Sequence, residues 1–138
     1  MNHDNGFYQR IGQKPIFKAN SITVNYNGDV GQAYYQDEDY WATDDVNVWY
    51  FKKENNREFN KFIALFLCPI IKAQGQAYAY VDKWKKEDME KCQLRLPATA
   101  AGTPDWDYME RYMREMTERA KRKLAILREL EREYTDIR

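Results

Sequence analysis

Amide, tyrosine and lysine side chains crowd one stretch of the chain, between residues 72 and 86. They are Lys72, Gln74, Gln76, Tyr78, Tyr80, Lys83, Trp84, Lys85 and Lys86. Amide groups can pair bidentately with adenine, lysine can contact phosphate or guanine, and aromatic rings can pack on sugars or bases. Residues 46–95 also carry ten basic against six acidic side chains. The stretch is therefore a candidate nucleic-acid surface, and composition leaves a solvated basic surface open as the alternative.

Side chains that could catalyse a reaction or hold a metal are scarce. The single histidine, His3, lies in a polar leader, so a Ser-His-Asp or Cys-His arrangement would depend on a chain terminus. Cys68 and Cys92 are 24 residues apart without a second Cys or His nearby, whereas a structural zinc site needs four closely paired ligands. Two cysteines and no basic, apolar leader predict free thiols in the cytoplasm. We therefore predict no catalytic residue, no metal site and no cofactor.

The length and the net charge of the chain further restrict the class of protein to which it can belong. The 138 residues suffice for one domain, and 22 basic against 22 acidic side chains give a formal charge of zero, so any surface for nucleic acid must be local. Residues 37–45 hold five carboxylates and no base but lack the pattern of a calcium loop, which favours a solvated loop over a metal or nuclease centre. The longest apolar run, 62–71, is about half the ~20 residues needed to cross a bilayer, and we predict that it is core.

Period-two alternation of apolar and polar residues predicts the strands. They are expected at 22–26, 32–36, 46–51, 76–81 and 92–96. The first strand should be half-buried, with a hairpin turn at Asn27-Gly28 leading to the second.

Helical spacing of apolar residues predicts a core helix between Phe59 and Ile70. An asparagine at 55 or 56 should cap it, Pro69 should kink its last turn and Gly75 should end it. A shorter helix is expected at 84–91.

The spacing of apolar residues changes at Pro104, and a long helix is predicted from there to the end of the chain. Thr103 should be its N-cap and Pro104 its first residue. Steps of three and four residues then define an apolar seam, which Lys123 alone interrupts: Trp106, Met109, Met113, Met116, Ala120, Leu127, Leu130, Tyr134 and Ile137. Such a helix would run roughly 50 Å. The small domain that precedes it, which we call the head (residues 1–103), cannot cover that length, so part of the seam should meet another chain or helix.

Several segments resemble the target recognition domain of Type I restriction-modification specificity subunits. Residues 20–36 (NSITVNYNGDVGQAYYQ) and 42–48 (ATDDVNV) carry the similarity at the start. A helix like Leu65-Phe66-Leu67, a tyrosine strand like Tyr78-Ala79-Tyr80, a lysine and a strand end like Leu96-Pro97 follow in the family's order. Residues 104–110 resemble the start of the family's long spacer helix, and the similarity covers roughly residues 10–118.

The resemblance implies an α+β fold. A small twisted-sheet target recognition domain would occupy residues 1–103, and one long coiled-coil helix would occupy residues 104–138. Such subunits choose the double-stranded DNA sequence that a methyltransferase subunit modifies and a restriction subunit cuts, in prokaryotic defence, and do no chemistry themselves. A complete subunit has two recognition domains and two antiparallel spacer helices. This chain has one of each and begins several dozen residues later than the family domain, so we expect it to pair with a copy of itself.

The resemblance also implies two sets of functional residues. The predicted DNA-contacting side chains are Asn25, Asn27, Lys72, Gln74, Gln76, Tyr78, Lys83 and Lys85. The predicted dimerisation residues are Met109, Met113, Met116, Ala120, Leu127, Leu130 and Tyr134. Two other classes remain open: a non-catalytic coiled-coil interaction protein with no nucleic-acid role, and a nuclease that uses the acidic loop.

Overall fold

The computed structural model describes residues 17–42, 45–81 and 83–136. Three strands come first, β1 (Ser21–Asn25), β2 (Ala33–Gln36) and β3 (Val46–Trp49), followed by a 3₁₀ turn at Lys53–Asn55 and helix α1 (Lys61–Gly75). A 3₁₀ helix at Gln76–Val81, a short helix α2 (Lys86–Lys91) and the long helix α3 (Trp106–Asp136) complete the order. The α+β fold with a small sheet and a long C-terminal helix is confirmed.

The sheet is antiparallel, with β1 between β2 and β3. Ile22 and Val24 of β1 lie on the face that packs against α1, while Ser21, Thr23 and Asn25 lie on the other face. The prediction that this strand is half-buried is wrong, because all five of its residues are buried. A second cluster containing Tyr40 covers the polar face, and the hydroxyl groups of Tyr40 and Ser21 share a 2.9 Å hydrogen bond there.

Helix α1 begins at Lys61, and Asn60 is its N-cap. The Asn60 side chain accepts hydrogen bonds from the backbone N–H groups of Phe62 (3.0 Å) and Ile63 (3.1 Å). The predicted cap at 55 or 56 is wrong, because Asn56 adopts a left-handed conformation that closes the 3₁₀ turn before it. The helix continues through Pro69 for six residues and ends at Gly75, as predicted.

One described segment, residues 61–81, is long and apolar enough to cross a membrane by length and composition. This segment contains α1, which packs against other elements of the same domain. Ile63 and Ile71 of α1 are fully buried, and the helix packs against β1, β2 and α3. The apolar run 62–71 therefore contributes to the core, as predicted.

The predicted strand at 76–81 is wrong, because these residues form a 3₁₀ helix. Both hydrogen-bonding edges of β1 are already taken by β2 and β3, so the segment cannot join the central strand. The predicted strand at 92–96 is also wrong. There the alternation reflects real burial, since Cys92, Leu94 and Leu96 are half-buried against the core, but the backbone forms no strand.

Helix α3 begins at Trp106, and its cap is Asp105, whose Oδ1 accepts a 3.0 Å hydrogen bond from the N–H of Tyr108. The predicted cap, Thr103, is wrong, because its hydroxyl instead bonds that of Thr99 at 2.8 Å. Only the first turns of α3 pack against the rest of the domain, where Met109 is fully buried in the core, so the prediction that Met109 contacts a second copy is wrong. Met113 is half-buried, the described seam residues from Met116 onward are exposed, and Ile137 lies outside the described residues.

A charged network fastens α3 to the head. Glu110 accepts hydrogen bonds from Arg57 (3.0 Å), Arg114 (2.8 Å) and the side chain of Asn60, which caps α1. Hydrogen bonds from these three side chains lower the pKa of Glu110 from 4.5 to about 2. The network therefore links the start of α1 to the second turn of α3.

Replacing Glu110 with glutamine should remove about 1–3 kcal/mol of stability at neutral pH, because charged hydrogen bonds are lost. A folded-state pKa below the unfolded one stabilises above pH 4.5, and that stabilisation disappears as the pH falls towards 2. Urea unfolding between pH 2 and 7 should therefore give a flatter stability profile for Glu110→Gln. The control is Glu118→Gln, which removes only an exposed 3.6 Å pair with Lys121. Parallel profiles for Glu110→Gln and wild type would contradict the assignment.

Candidate nucleic-acid interface

Three segments converge at one end of the domain, which we call the loop end. It comprises the β1–β2 connection (26–32), the last turn of α1 with the following 3₁₀ helix (72–81), and residues 83–86. A Cβ atom on Gly75 would lie 2.9 Å from Gly31 Cα and 2.8 Å from the ring of Trp84. Gly75 is therefore the contact point of all three segments.

The β1–β2 connection is a hairpin, as predicted, but it is longer than the two-residue turn that Asn27-Gly28 suggests. Seven residues join the strands, and Gly28, Asp29 and Gly31 all have positive φ. The carbonyl of Tyr26 accepts a 2.7 Å hydrogen bond from the N–H of Trp84, and Asn27 forms an isolated bridge with Lys83. These backbone contacts attach residues 83–86 to the hairpin.

Substituting Gly75 with alanine should destabilise the protein by roughly 1–3 kcal/mol, because the new methyl group meets a backbone atom and a buried ring. Trp84→Phe in the same chain should recover part of this loss, since it removes the atoms that the methyl group would strike. Urea unfolding of the two single variants and the double variant measures this coupling. Strictly additive losses would mean that Trp84 is not the obstacle.

A cleft of about 710 Å³ opens beside the loop end, between residues 41, 42, 46 and 47 on one side and residues 83–87 on the other. Its walls combine lysines with aromatic rings and one acid. The lining residues are Phe17, Tyr26, Trp41, Ala42, Val46, Asn47, Lys83, Lys85, Lys86 and Glu87. Lysine ammonium groups suit phosphate oxygens, and aromatic walls suit sugars or bases.

Most of the predicted DNA-contacting residues lie at the loop end. Asn27, Lys72, Gln76, Lys83 and Lys85 are exposed there, and Gln74 is half-buried. Tyr78 is also half-buried, because its ring stacks on Trp84 with centroids 5.7 Å apart and planes 12° apart.

Asn25 does not belong to this surface. It is only 3% exposed, on the covered face of β1, and its Oδ1 atom has no hydrogen-bond partner among the described residues. Because a buried side chain cannot reach a duplex, the prediction that Asn25 contacts DNA directly is wrong.

Sequence reasoning missed Tyr26 and Trp41, which line the cleft beside Lys83 and Lys85. Tyr26 continues the alternation of β1, and Trp41 lies in an acidic loop, so neither carries a local signal for this position. The pairing of the hairpin with residues 83–86 brings Tyr26 to the lysines, and Trp41 lines the same cleft from the connection between β2 and β3.

The cysteines are free thiols, as predicted. Burial raises the pKa of Cys68 to about 11 and also raises that of Cys92, so both are protonated at neutral pH. Within the residues that the structure describes, no group of three or more His, Cys, Asp or Glu side chains could hold a metal ion.

Comparison with known proteins finds similarity to restriction-modification proteins. The family described as "Type I restriction modification DNA specificity domain" matches residues 2–128. The specificity subunit S.BcgI of a Type II restriction enzyme from Heyndrickxia coagulans is 37% identical over 100 residues, which cover 72% of this chain and 28% of that subunit. The chain thus matches less than a third of this relative. No solved structure matches the chain.

Proposed function

Because the chain belongs to the family of Type I restriction-modification DNA specificity domains, we propose that it reads part of a DNA sequence on behalf of a methyltransferase subunit. The observation that supports this most is the loop end, where lysines, amides and a basic, aromatic-walled cleft are gathered. We also propose that the chain acts in the cytoplasm and catalyses no reaction itself, so that methylation and restriction are performed by other subunits.

The roles of the loop-end side chains follow from their chemistry. Lys72, Lys83 and Lys85 would contact phosphates and hold the duplex in register. Gln74 and Gln76 would read base edges in the major groove, where amides pair best with adenine. Asn27 would contact the edge of the groove beside the two glutamines. Its Nδ2 already donates one hydrogen bond, to Asp45 Oδ1 at 3.4 Å.

The exposure of helix α3 supports separate roles for the two parts of the chain, DNA recognition and pairing. We propose that residues 1–103 recognise DNA and that residues 104–138 form a spacer that pairs with the same helix of a second copy. The exposed seam supports this, since Leu127 is 61% and Leu130 is 55% exposed without a partner within the described chain. Pairing would bury these leucines and place two recognition domains at opposite ends of an antiparallel helix pair.

Binding of DNA by the isolated chain should be weak. The formal charge is zero, and Asp29, Asp45 and Glu87 lie on or beside the lysine-bearing segments. Useful affinity therefore needs a second recognition domain and the methyltransferase subunit, which raise the effective concentration of each contact.

Selection from a pool of randomised duplexes tests the proposal. The chain assembled with its methyltransferase subunit, at about 50 mM salt, should enrich one short sequence over successive rounds, since base contacts discriminate between duplexes. A pool that stays random would overturn DNA recognition and favour the coiled-coil interaction protein. Divalent-dependent cleavage of the pool would instead favour a nuclease.

A further inference from the structure

We infer that Tyr80 is a wedge that inserts between two base pairs of the target duplex and unstacks them. This inference rests on the proposed function and adds a residue that is absent from the predicted DNA-contacting set. Tyr80 is 90% exposed, which makes it the most exposed large hydrophobic side chain in the described part of the protein. Its neighbour Val81 is 55% exposed. Proteins that kink DNA insert such apolar or aromatic side chains between base steps.

The geometry of the 3₁₀ helix Gln76–Val81 directs Tyr80 outward. Residues three apart lie on the same row of a 3₁₀ helix, so Tyr80 shares its row with Ala77, whose side chain is small and also exposed. Tyr78 lies on a different row and stacks on the fully buried Trp84. The same short helix therefore has one tyrosine anchored in the core and one projecting into solvent.

The anchoring gives the wedge a rigid base. The Trp84 ring also lies against Gly75, at the end of α1, and the backbone N–H of Trp84 donates to the carbonyl of Tyr26 in the hairpin. A wedge must resist being pushed back when it separates stacked bases. Attachment of the 3₁₀ helix to α1 and the hairpin through Trp84 meets that requirement.

The lysine and the amide near Tyr80 favour duplex DNA as the occupant. Lys83 follows three residues later, so its Cα lies within about 11 Å of that of Tyr80. Gln76 precedes it by four residues, or about 8 Å along the helix. A candidate base-reading amide and a candidate phosphate contact thus lie before and after Tyr80 in the chain, within about three base-pair steps of ~3.4 Å.

Fluorescence of 2-aminopurine, which rises when the base is unstacked, tests the inference on the duplex enriched by selection. The analogue is placed at each position in turn. Wild-type chain should increase the fluorescence at one step, and Tyr80→Phe, which keeps the ring, should do the same. Tyr80→Ala should abolish the increase and weaken binding about tenfold, the usual effect of losing one stacked aromatic. The control Tyr50→Ala removes an exposed tyrosine after β3, at the opposite end of the sheet, and should change neither quantity.

The results of selection and fluorescence together distinguish DNA recognition by the chain from insertion of Tyr80. Enrichment of a duplex with no Tyr80-dependent fluorescence would overturn the wedge and leave DNA recognition standing. If Tyr80→Ala instead weakened only the association with the methyltransferase subunit, Tyr80 would be a protein contact and the inference would fail. Failure to enrich any duplex would overturn both. Because Tyr80 is exposed, an unchanged melting temperature for Tyr80→Ala should exclude loss of folding as an explanation.

Discussion

Replacing Leu127 and Leu130 together with alanine should convert the chain from a dimer to a monomer at micromolar concentration. Both leucines are exposed on α3, more than three turns beyond Arg114, whose guanidinium lies over the Phe62 ring of α1, and each should be buried in a helix pair. Leucine to alanine in a packed core costs about 2–5 kcal/mol, so the two changes should weaken association by a thousandfold or more. Sedimentation velocity measures the change directly.

The sequence of α3 offers two controls for this experiment. Leu124→Ala removes an equally large side chain that flanks the seam three residues before Leu127, and it should weaken association less than the loss of a seam leucine. Lys123→Leu removes the one polar seam residue and should strengthen the dimer. A wild-type chain that remains a 16.6 kDa monomer at high concentration would refute pairing through this seam.

Replacing Lys83 and Lys85 together with alanine should weaken binding to every duplex alike. Each phosphate contact releases counterions, so the slope of log K against log salt should fall by about two units. Replacing Gln74 and Gln76 should instead cost roughly 1–3 kcal/mol on the enriched duplex and little on a scrambled one. Fluorescence anisotropy across a salt series distinguishes these effects.

The matched control for the lysine pair is Lys52→Ala with Lys53→Ala. These lysines are exposed beyond the end of β3, on the side of the sheet away from the loop end, and their removal lowers the net charge by the same amount. An equal loss of affinity in both pairs would show that only overall charge matters, and that the loop end is not the interface.

The sequence predicted the elements whose pattern is local and repetitive. The spacing of apolar residues located α1 and α3, and the Asn27-Gly28 signal located the hairpin. The helix caps were misplaced, because several polar residues compete near each start and tertiary packing decides which one is used. Asn60 caps α1 while its amide also donates to Glu110 of α3, a contact between distant segments that no local rule contains.

Burial on the second face of β1 could not be predicted for a similar reason. Alternation places Asn25 on the opposite face from Val24 but does not reveal that Tyr40 and its neighbours cover that face. The lysines and amides of the candidate site were found by composition. Their grouping around a cleft depends on the contact of Trp84 with Gly75 and the hairpin, which joins residues about fifty positions apart.

The most direct test of the central claim is whether this chain decides which duplex its methyltransferase subunit modifies. Methyl incorporation would be measured on the enriched duplex and on a scrambled duplex of the same composition, with and without the chain. We predict methylation of the enriched duplex alone, only when the chain is present, and its loss with the Gln74→Ala and Gln76→Ala double variant. Equal methylation of both duplexes, or methylation that does not depend on the chain, would contradict a role in DNA specificity.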